Sequence, residues 1–143
     1  IRLSEERLME KRIFNAETIN LDEVLEFIDS QLEKSGCNMK TQMQIDVAAE
    51  EIFVNVAHYA YKPDIGPVEI CVELKDDPRR VCVTFVDRGR PFDPLEKPDP
   101  DITLSADERE VGGLGIYMVK KTMDDVIYKF SDGQNHLTMV KLF

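Results

Sequence analysis

The chain has 143 residues, 28 of them acidic and 18 basic, a net charge of −10, with 43% apolar side chains. That length suits one domain able to bury its own core without disulfide or metal staples. The acid excess argues against nucleic-acid binding and against docking on anionic membranes. No apolar run nears the roughly 20 residues of a membrane span. No basic segment leading into an apolar stretch reads as a signal peptide. Cys37, Cys71 and Cys82 are odd in number and lack CxxC spacing, which points to a reducing cytoplasm. The two histidines, His58 and His136, stand far from any cysteine cluster, so no zinc site is indicated.

In chain order, alternation around Met9, Lys11 and Ile13 predicts a first strand near 8–15. Asn20, with Glu23 three residues on, offers a capping box for a helix carrying Leu21, Val24, Leu25, Ile28 and Leu32. That helix should stop at Ser35-Gly36. A longer helix is predicted from about Lys40 to Tyr61, with Ile45, Ala49, Ile52, Val56 and Ala60 on its apolar face. Two strands follow, Val68–Leu74 and Val81–Phe85, joined through Asp76-Asp77-Pro78. From Arg88 to Glu110 the periodicity vanishes, and four prolines fall within ten residues. A short helix is predicted over Leu114–Met123, then strands near Asp125–Phe130 and His136–Phe143, linked by residues 131–135. Helices grouped with hairpins predict an α+β fold, a two-layer α/β sandwich. All of residues 1–143 are expected to form a single domain.

Three islands could carry chemistry. Glu51 and Asn55 lie one helical turn apart on one face, and Tyr59 continues the row. A carboxylate beside a carboxamide suits a hard cation and a general base, and a solvated helix flank is the plain alternative. The segment from Asp87 through Gly89 and Phe92 to Asp93 ends an apolar strand. There Asp87 needs donors, such as a ligand amino group, and Gly89 allows close approach; the alternative is an ordinary Asx-type turn. Gly112-Gly113-Leu114-Gly115 precedes a helix, where free amides and the helix dipole favour phosphate. It fits neither the Walker loop nor the dinucleotide fingerprint, and a flexible hinge is its alternative.

In this order the three islands resemble the N, G1 and G2 boxes of the GHKL ATPase superfamily, which includes gyrase, histidine kinases and MutL. The N box is matched by Glu51–Asn55, G1 by Asp87–Asp93, and G2 by Gly113 and Gly115 with Gly112 just before. The Pro91–Pro94 and Gly112–Asp125 segments make the chain look most like bacterial anti-sigma-factor serine/threonine kinases. The resemblance implies a Bergerat ATP-binding fold, with a mixed, mostly antiparallel sheet covered by helices on one face. It implies Asn55 as Mg²⁺ ligand, Glu51 as general base and Asp87 as acceptor for the adenine amino group. Gly89 and Phe92 would border the base, residues 94–111 would form an ATP lid, and Gly112, Gly113, Leu114 and Gly115 would meet the phosphates. Thr138 falls where the family often places a threonine near adenine. One departure concerns the His-Ala-Tyr that often follows the N box: Tyr59-Ala60-Tyr61 stands there instead, so His58 receives no role beyond packing or the helix flank.

The function so implied is an ATP-dependent anti-sigma regulatory kinase. It would phosphorylate a Ser/Thr of an antagonist (anti-anti-sigma) protein, sequester a sigma factor, and act as a cytoplasmic homodimer. The alternative is a nucleotide-dependent protein-binding switch without kinase turnover. A histidine-kinase catalytic domain is a third reading, disfavoured because residues 1–20 hold no His. The acidic residues Asp93, Glu96, Asp99, Asp101, Asp107, Glu108 and Glu110 lie in or beside the expected lid. Close to ATP's own charge, they are expected to point to solvent or to a basic partner surface.

Overall fold

A computed structural model describes residues 9–96 and 113–143. Five strands form one sheet: β1 (Met9–Asn15), β2 (Pro67–Lys75), β3 (Arg80–Asp87), β4 (Asp125–Ser131) and β5 (Gln134–Leu142), in spatial order β1-β2-β3-β5-β4. All four pairings are antiparallel, so among the described residues the sheet has no parallel component. Helices α1 (Leu21–Ser35), α2 (Met39–Asn55) and α3 (Gly113–Thr122) pack on one face. The two-layer sandwich read from the element order is the observed architecture.

The core follows from period-two strands meeting period-3.6 helices. Val68, Ile70 and Val72 of β2, Val81, Val83 and Phe85 of β3, and Leu137 and Met139 of β5 form the inner face. Against them lie Val24, Ile28 and Leu32 of α1, Ile45, Ala49, Ile52 and Phe53 of α2, and Ile116 and Val119 of α3. The cross-strand register puts these residues opposite one another: Ile70 with Phe85, Phe85 with Leu137, Val83 with Met139.

Several ends differ from the sequence reading. Asn20 makes no cap bond, because a 3-10 turn over Thr18–Asn20 turns its side chain back to donate to the Asn15 carbonyl at 3.0 Å. Glu23 pairs with Arg12 at 3.5 Å instead of closing a capping box. The side-chain cap belongs to Asn38, which accepts from the Thr41 amide at 2.8 Å and starts α2. Gly36 does close α1 in the left-handed region, at φ 77°. α2 continues through one π-helical turn, Val56–Ala60, so the long helix reaches its expected end with a widened last turn. The β4–β5 link is shorter than expected. Asp132 and Gly133 both have positive φ (54° and 74°), a two-residue turn that suits a twisted hairpin, so Gln134 and Asn135 belong to β5.

Asp29 of α1 and Asp46 of α2 approach closely enough to share a hydrogen bond. Burial, reinforced by Asp29, pushes the Asp46 carboxyl up to about 8. The folded chain thus keeps a proton that the unfolded chain releases, and this contact weakens as pH rises from the ordinary carboxylate range toward 8. Cys37, Cys71 and Cys82 are free thiols. No helix among the described residues is long and apolar enough to cross a membrane.

Candidate active site

The sheet's inner face changes chemistry at one end. In β3 the inward positions run Val81, Val83, Phe85 and then Asp87; in β5 they run Met139, Leu137 and then Asn135. The register places Asp87 directly opposite Asn135. Both are buried, and a buried carboxylate needs donors. Asp87 Oδ1 accepts from Asn135 Nδ2 at 2.9 Å and from the Gly89 amide at 2.8 Å. Asn135 Nδ2 also reaches the Arg90 carbonyl at 2.9 Å. Its Oδ1 accepts from the Tyr128 hydroxyl at 2.5 Å and from the Phe92 amide at 3.2 Å. One carboxamide therefore ties together β3, β4 and β5 and the loop after β3. Sequence reading misses Asn135 because it places residues 131–135 in the link between the last two strands. The signal was there in Asp132-Gly133, a two-residue turn pair that extends β5 back to residue 134.

This corner forms the floor of a cavity lined by Ile52, Asn55, Tyr59, Phe85, Asp87, Phe92, Tyr128 and Asn135, among others. The rings of Tyr59 and Phe92 stand 6.1 Å apart at its rim. Gly89 is required for packing: a Cβ there would overlap the backbone carbonyl of Ala60, in the π-helical turn. The Arg90 amide donates to the same carbonyl at 3.0 Å. Tyr61 accepts from the Arg88 amide at 2.8 Å and donates to the Pro67 carbonyl at 2.5 Å, which fixes the end of α2 to β3 and the start of β2.

The second end of the site lies along α2. Asn55 lines the cavity, and Glu51 sits one turn earlier, half-buried. Burial, with a smaller contribution from neighbouring Glu50, raises the Glu51 carboxyl above the ordinary carboxylate range. A Cβ at residue 115 would overlap the Glu51 carboxylate. The first turn of α3 thus abuts Glu51, and the glycine is what makes the approach possible. The leading amides of a helix have no intrahelical partner, so Gly113, Leu114 and Gly115 present N–H groups at that end.

The structure therefore brings together Glu51, Asn55, Asp87, Gly89 and Phe92, with Gly115 against Glu51 and with Gly113 and Leu114 in the same helical turn. It does not bring Thr138 to them. Period-two alternation from Leu137 turns Thr138 to the outer face, where its hydroxyl meets that of Thr84 at 2.9 Å. His58 is exposed, edge-on to Tyr59. Gly112, most of the expected lid (94–111) and Asp99, Asp101, Asp107, Glu108 and Glu110 lie outside the described residues; Pro94–Glu96 forms a 3-10 turn.

A family model of the histidine kinase-like ATPase domain matches residues 14–141. The chain is 28% identical over 100 residues to the serine/threonine-protein kinase BtrW of Bordetella bronchiseptica, covering 70% of each. It is 31% identical over 93 residues to the serine-protein kinase RsbW of Staphylococcus epidermidis, covering 59% of this chain and 57% of that one. It therefore spans less than two thirds of the latter kinase. It superimposes on a Mycobacterium tuberculosis protein with RsbU and RsbW domains, with a TM-score of 0.66 at 15% identity, covering 94% of this chain and 32% of that one. A chain of the SiaB–SiaC complex of Pseudomonas aeruginosa gives 0.57 at 14% identity, covering 92% and 89%. At such identities these structures speak for the fold alone. The family match takes in β3 and β5 of the cavity floor, the face of α2 that carries Glu51 and Asn55, and the start of α3, and the chain belongs to the histidine kinase-like ATPase family.

Proposed function

We propose that the chain binds Mg-ATP and transfers its terminal phosphoryl group to a serine or threonine of an antagonist protein, and that it holds a sigma factor as a cytoplasmic homodimer. The observation that carries this reading is the approach of the α3 amide end to Glu51, one turn from Asn55 and beside the Asp87 cavity. Relatives named as serine and serine/threonine kinases support the acceptor class.

Each residue then has a task. Both protein bonds to Asp87 land on Oδ1, which leaves Oδ2 to accept from the adenine amino group. Tyr59 and Phe92 flank the ring plane. The amides of Gly113, Leu114 and Gly115 face the phosphates, where helix N-termini favour anions. The Asn55 amide oxygen suits Mg²⁺, a hard cation that keeps phosphate and water ligands and needs few from protein. The described residues hold no cluster of three or more His, Cys, Asp or Glu that would make a protein-only metal site. When bound, Mg²⁺ would neutralise charge on the transferring group. Glu51 takes the proton of the acceptor hydroxyl as its oxygen bonds to the γ-phosphorus and the bond to the β-phosphate oxygen breaks, releasing ADP. Its raised pKa makes it a better proton acceptor than an ordinary carboxylate.

The test is radiolabelled ATP with the purified chain and candidate antagonist proteins from neighbouring genes. Label on a serine or threonine of one of them is the expected result. ATP binding with no label on any of them would mean a nucleotide-dependent switch instead.

A further inference from the structure

One row of side chains on α2 changes character along its length. At four-residue spacing it reads Met39, Met43, Val47, Glu51, Asn55, Tyr59. Along the α-helical part successive members drift by about 40°, roughly 120° from Met39 to Glu51, so the row is a continuous track that winds gradually around the helix. The first three are 69%, 60% and 66% exposed. Glu51 is half-buried, and Asn55 and Tyr59 line the cavity. The track thus runs from open surface to the nucleotide cavity.

The three apolar members have no part in the core. α2 turns Ile45, Ala48, Ala49, Ile52 and Phe53 to the sheet, and Met39, Met43 and Val47 face away from it. Large apolar side chains at helical spacing on an otherwise solvated face mark an interaction surface more than a stabilising one. Methionine in particular adapts to a partner's shape.

We infer that Met39, Met43 and Val47 form the docking track for the phosphoacceptor protein, which delivers its hydroxyl to Glu51. This rests on the kinase reading above, and the occupant follows from the directions open around Glu51. Toward the C-terminus of α2 the track enters the cavity that the nucleotide needs. The first turn of α3 abuts the carboxylate at Gly115. The exposed direction along the row is toward Met39. A protein whose serine or threonine reaches Glu51 must cover the adjoining surface, and that surface is Val47, Met43 and Met39. From Met39 to Glu51 the track is about 18 Å long, enough for three turns of a partner helix. The partner presents two or three apolar side chains beside its acceptor residue. Exposed Glu50 next to the track favours a basic group at its edge.

Val47→Asp and Met43→Asp, both at exposed positions, test this. The probe is a candidate antagonist protein that the unsubstituted chain phosphorylates or binds, titrated against protein loaded with a non-hydrolysable ATP analogue. The expected result is a Kd for that protein at least tenfold weaker in either variant, with nucleotide affinity within twofold of the unsubstituted chain. In transfer assays KM for the protein acceptor rises and kcat at saturation is retained; Val47→Leu restores both Kd and KM. Unchanged Kd in both aspartate variants overturns the inference. So does absence of binding by the unsubstituted chain. A change in oligomeric state with antagonist affinity intact also overturns it, and makes the track a self-association face. Binding that is lost in the variants, by a chain that never transfers phosphate, supports the track and sinks only the kinase reading.

Discussion

The two ends of the candidate site are built on opposite principles. At the Asp87 end, protein groups hold one another: buried Asp87 and Asn135 share hydrogen bonds with the Tyr128 hydroxyl and the Gly89 and Phe92 amides, and Asp87 Oδ2 is left for a ligand. At the Glu51 end there is, among the described residues, proximity without such a network. A half-buried carboxylate with a raised pKa faces a helix start whose glycine leaves it room. On the proposed function, the first arrangement is preorganised to receive a fixed, flat group. On the same proposal, the second leaves charge and hydrogen-bonding capacity for ligand and acceptor to complete, as phosphoryl transfer requires. If this contrast is right, damage at the first end should appear in binding or folding, and damage at the second in turnover.

The largest effect is expected at Glu51. Glu51→Ala removes the proton acceptor, and loss of a general base costs about 10²–10⁴-fold in rate. ATP affinity should stay within a few-fold, because Glu51 contributes no hydrogen bond to the cavity floor. The unsubstituted chain should also show transfer rising with pH through the Glu51 pKa, with its acidic limb displaced above that of an ordinary glutamate. Single-turnover transfer across pH measures both. A wild-type rate in Glu51→Ala would remove Glu51 from the base role.

Next in size is Asp87→Asn. The amide keeps an oxygen to accept from Gly89 and Asn135, but its other atom becomes a donor where the adenine amino group also donates. The shape is preserved and the ligand contact is reversed. Losing a hydrogen bond to a charged group costs about 1.5–3 kcal/mol, or roughly 10–100-fold in affinity. Calorimetric titration with ATP against GTP separates recognition of the base from general weakening. Equal losses for both nucleotides would contradict the adenine assignment.

Two glycines put the contrast in its simplest form. A Cβ at Gly89 meets the backbone of Ala60, which cannot move without disturbing the π-helical turn. Gly89→Ala should therefore destabilise the fold by about 1–3 kcal/mol, as overpacking does. A Cβ at Gly115 meets the tip of the Glu51 side chain, which can rotate away. Gly115→Ala should leave the melting temperature nearly unchanged and lower transfer by displacing the base. Thermal melts and transfer rates of the two variants, measured side by side, should move in opposite columns. A Gly115→Ala protein with full transfer would show that the position of Glu51 is not critical.

Much of this was legible because it is periodic. The apolar rows of α1 and α2, the alternation in β2 and β3, and the glycine after α1 each follow from one local rule, and the order of elements led to the sandwich. The candidate residues Glu51, Asn55, Asp87 and Phe92 were legible as islands, since their spacing is local too. What escaped depends on what a residue meets across the fold. Asn20 matched a capping box, but the 3-10 turn before it rotated its side chain toward Asn15. Residue spacing alone places Asn135 in the β4–β5 link, although a two-residue Asp-Gly turn carries it into the sheet opposite Asp87. The need for glycine at 89 comes from Ala60, 29 residues earlier, and at 115 from Glu51, 64 residues earlier. No spacing rule in one sequence reports such pairs.

Thr138 is the smallest of these effects and the sharpest test of the geometry. The register sets Thr138 between Thr84 and Ile127 on the outer face, while its neighbours Leu137 and Met139 point into the core. A single-residue error in assigning the face of β5 would exchange these environments, because side chains alternate with period two. Thr138→Val keeps the shape and removes the hydroxyl that bonds Thr84 at 2.9 Å. The cost is a net hydrogen bond, about 1 kcal/mol of stability, with ATP affinity within twofold of the unsubstituted chain. Asn135→Ala, altered on the opposite face of the same strand, should weaken ATP binding by freeing Asp87 and the Phe92 amide from their shared partner. If Thr138→Val weakened ATP tenfold while Asn135→Ala did not, the inner and outer faces of β5 would have to be exchanged, and the cavity floor with them.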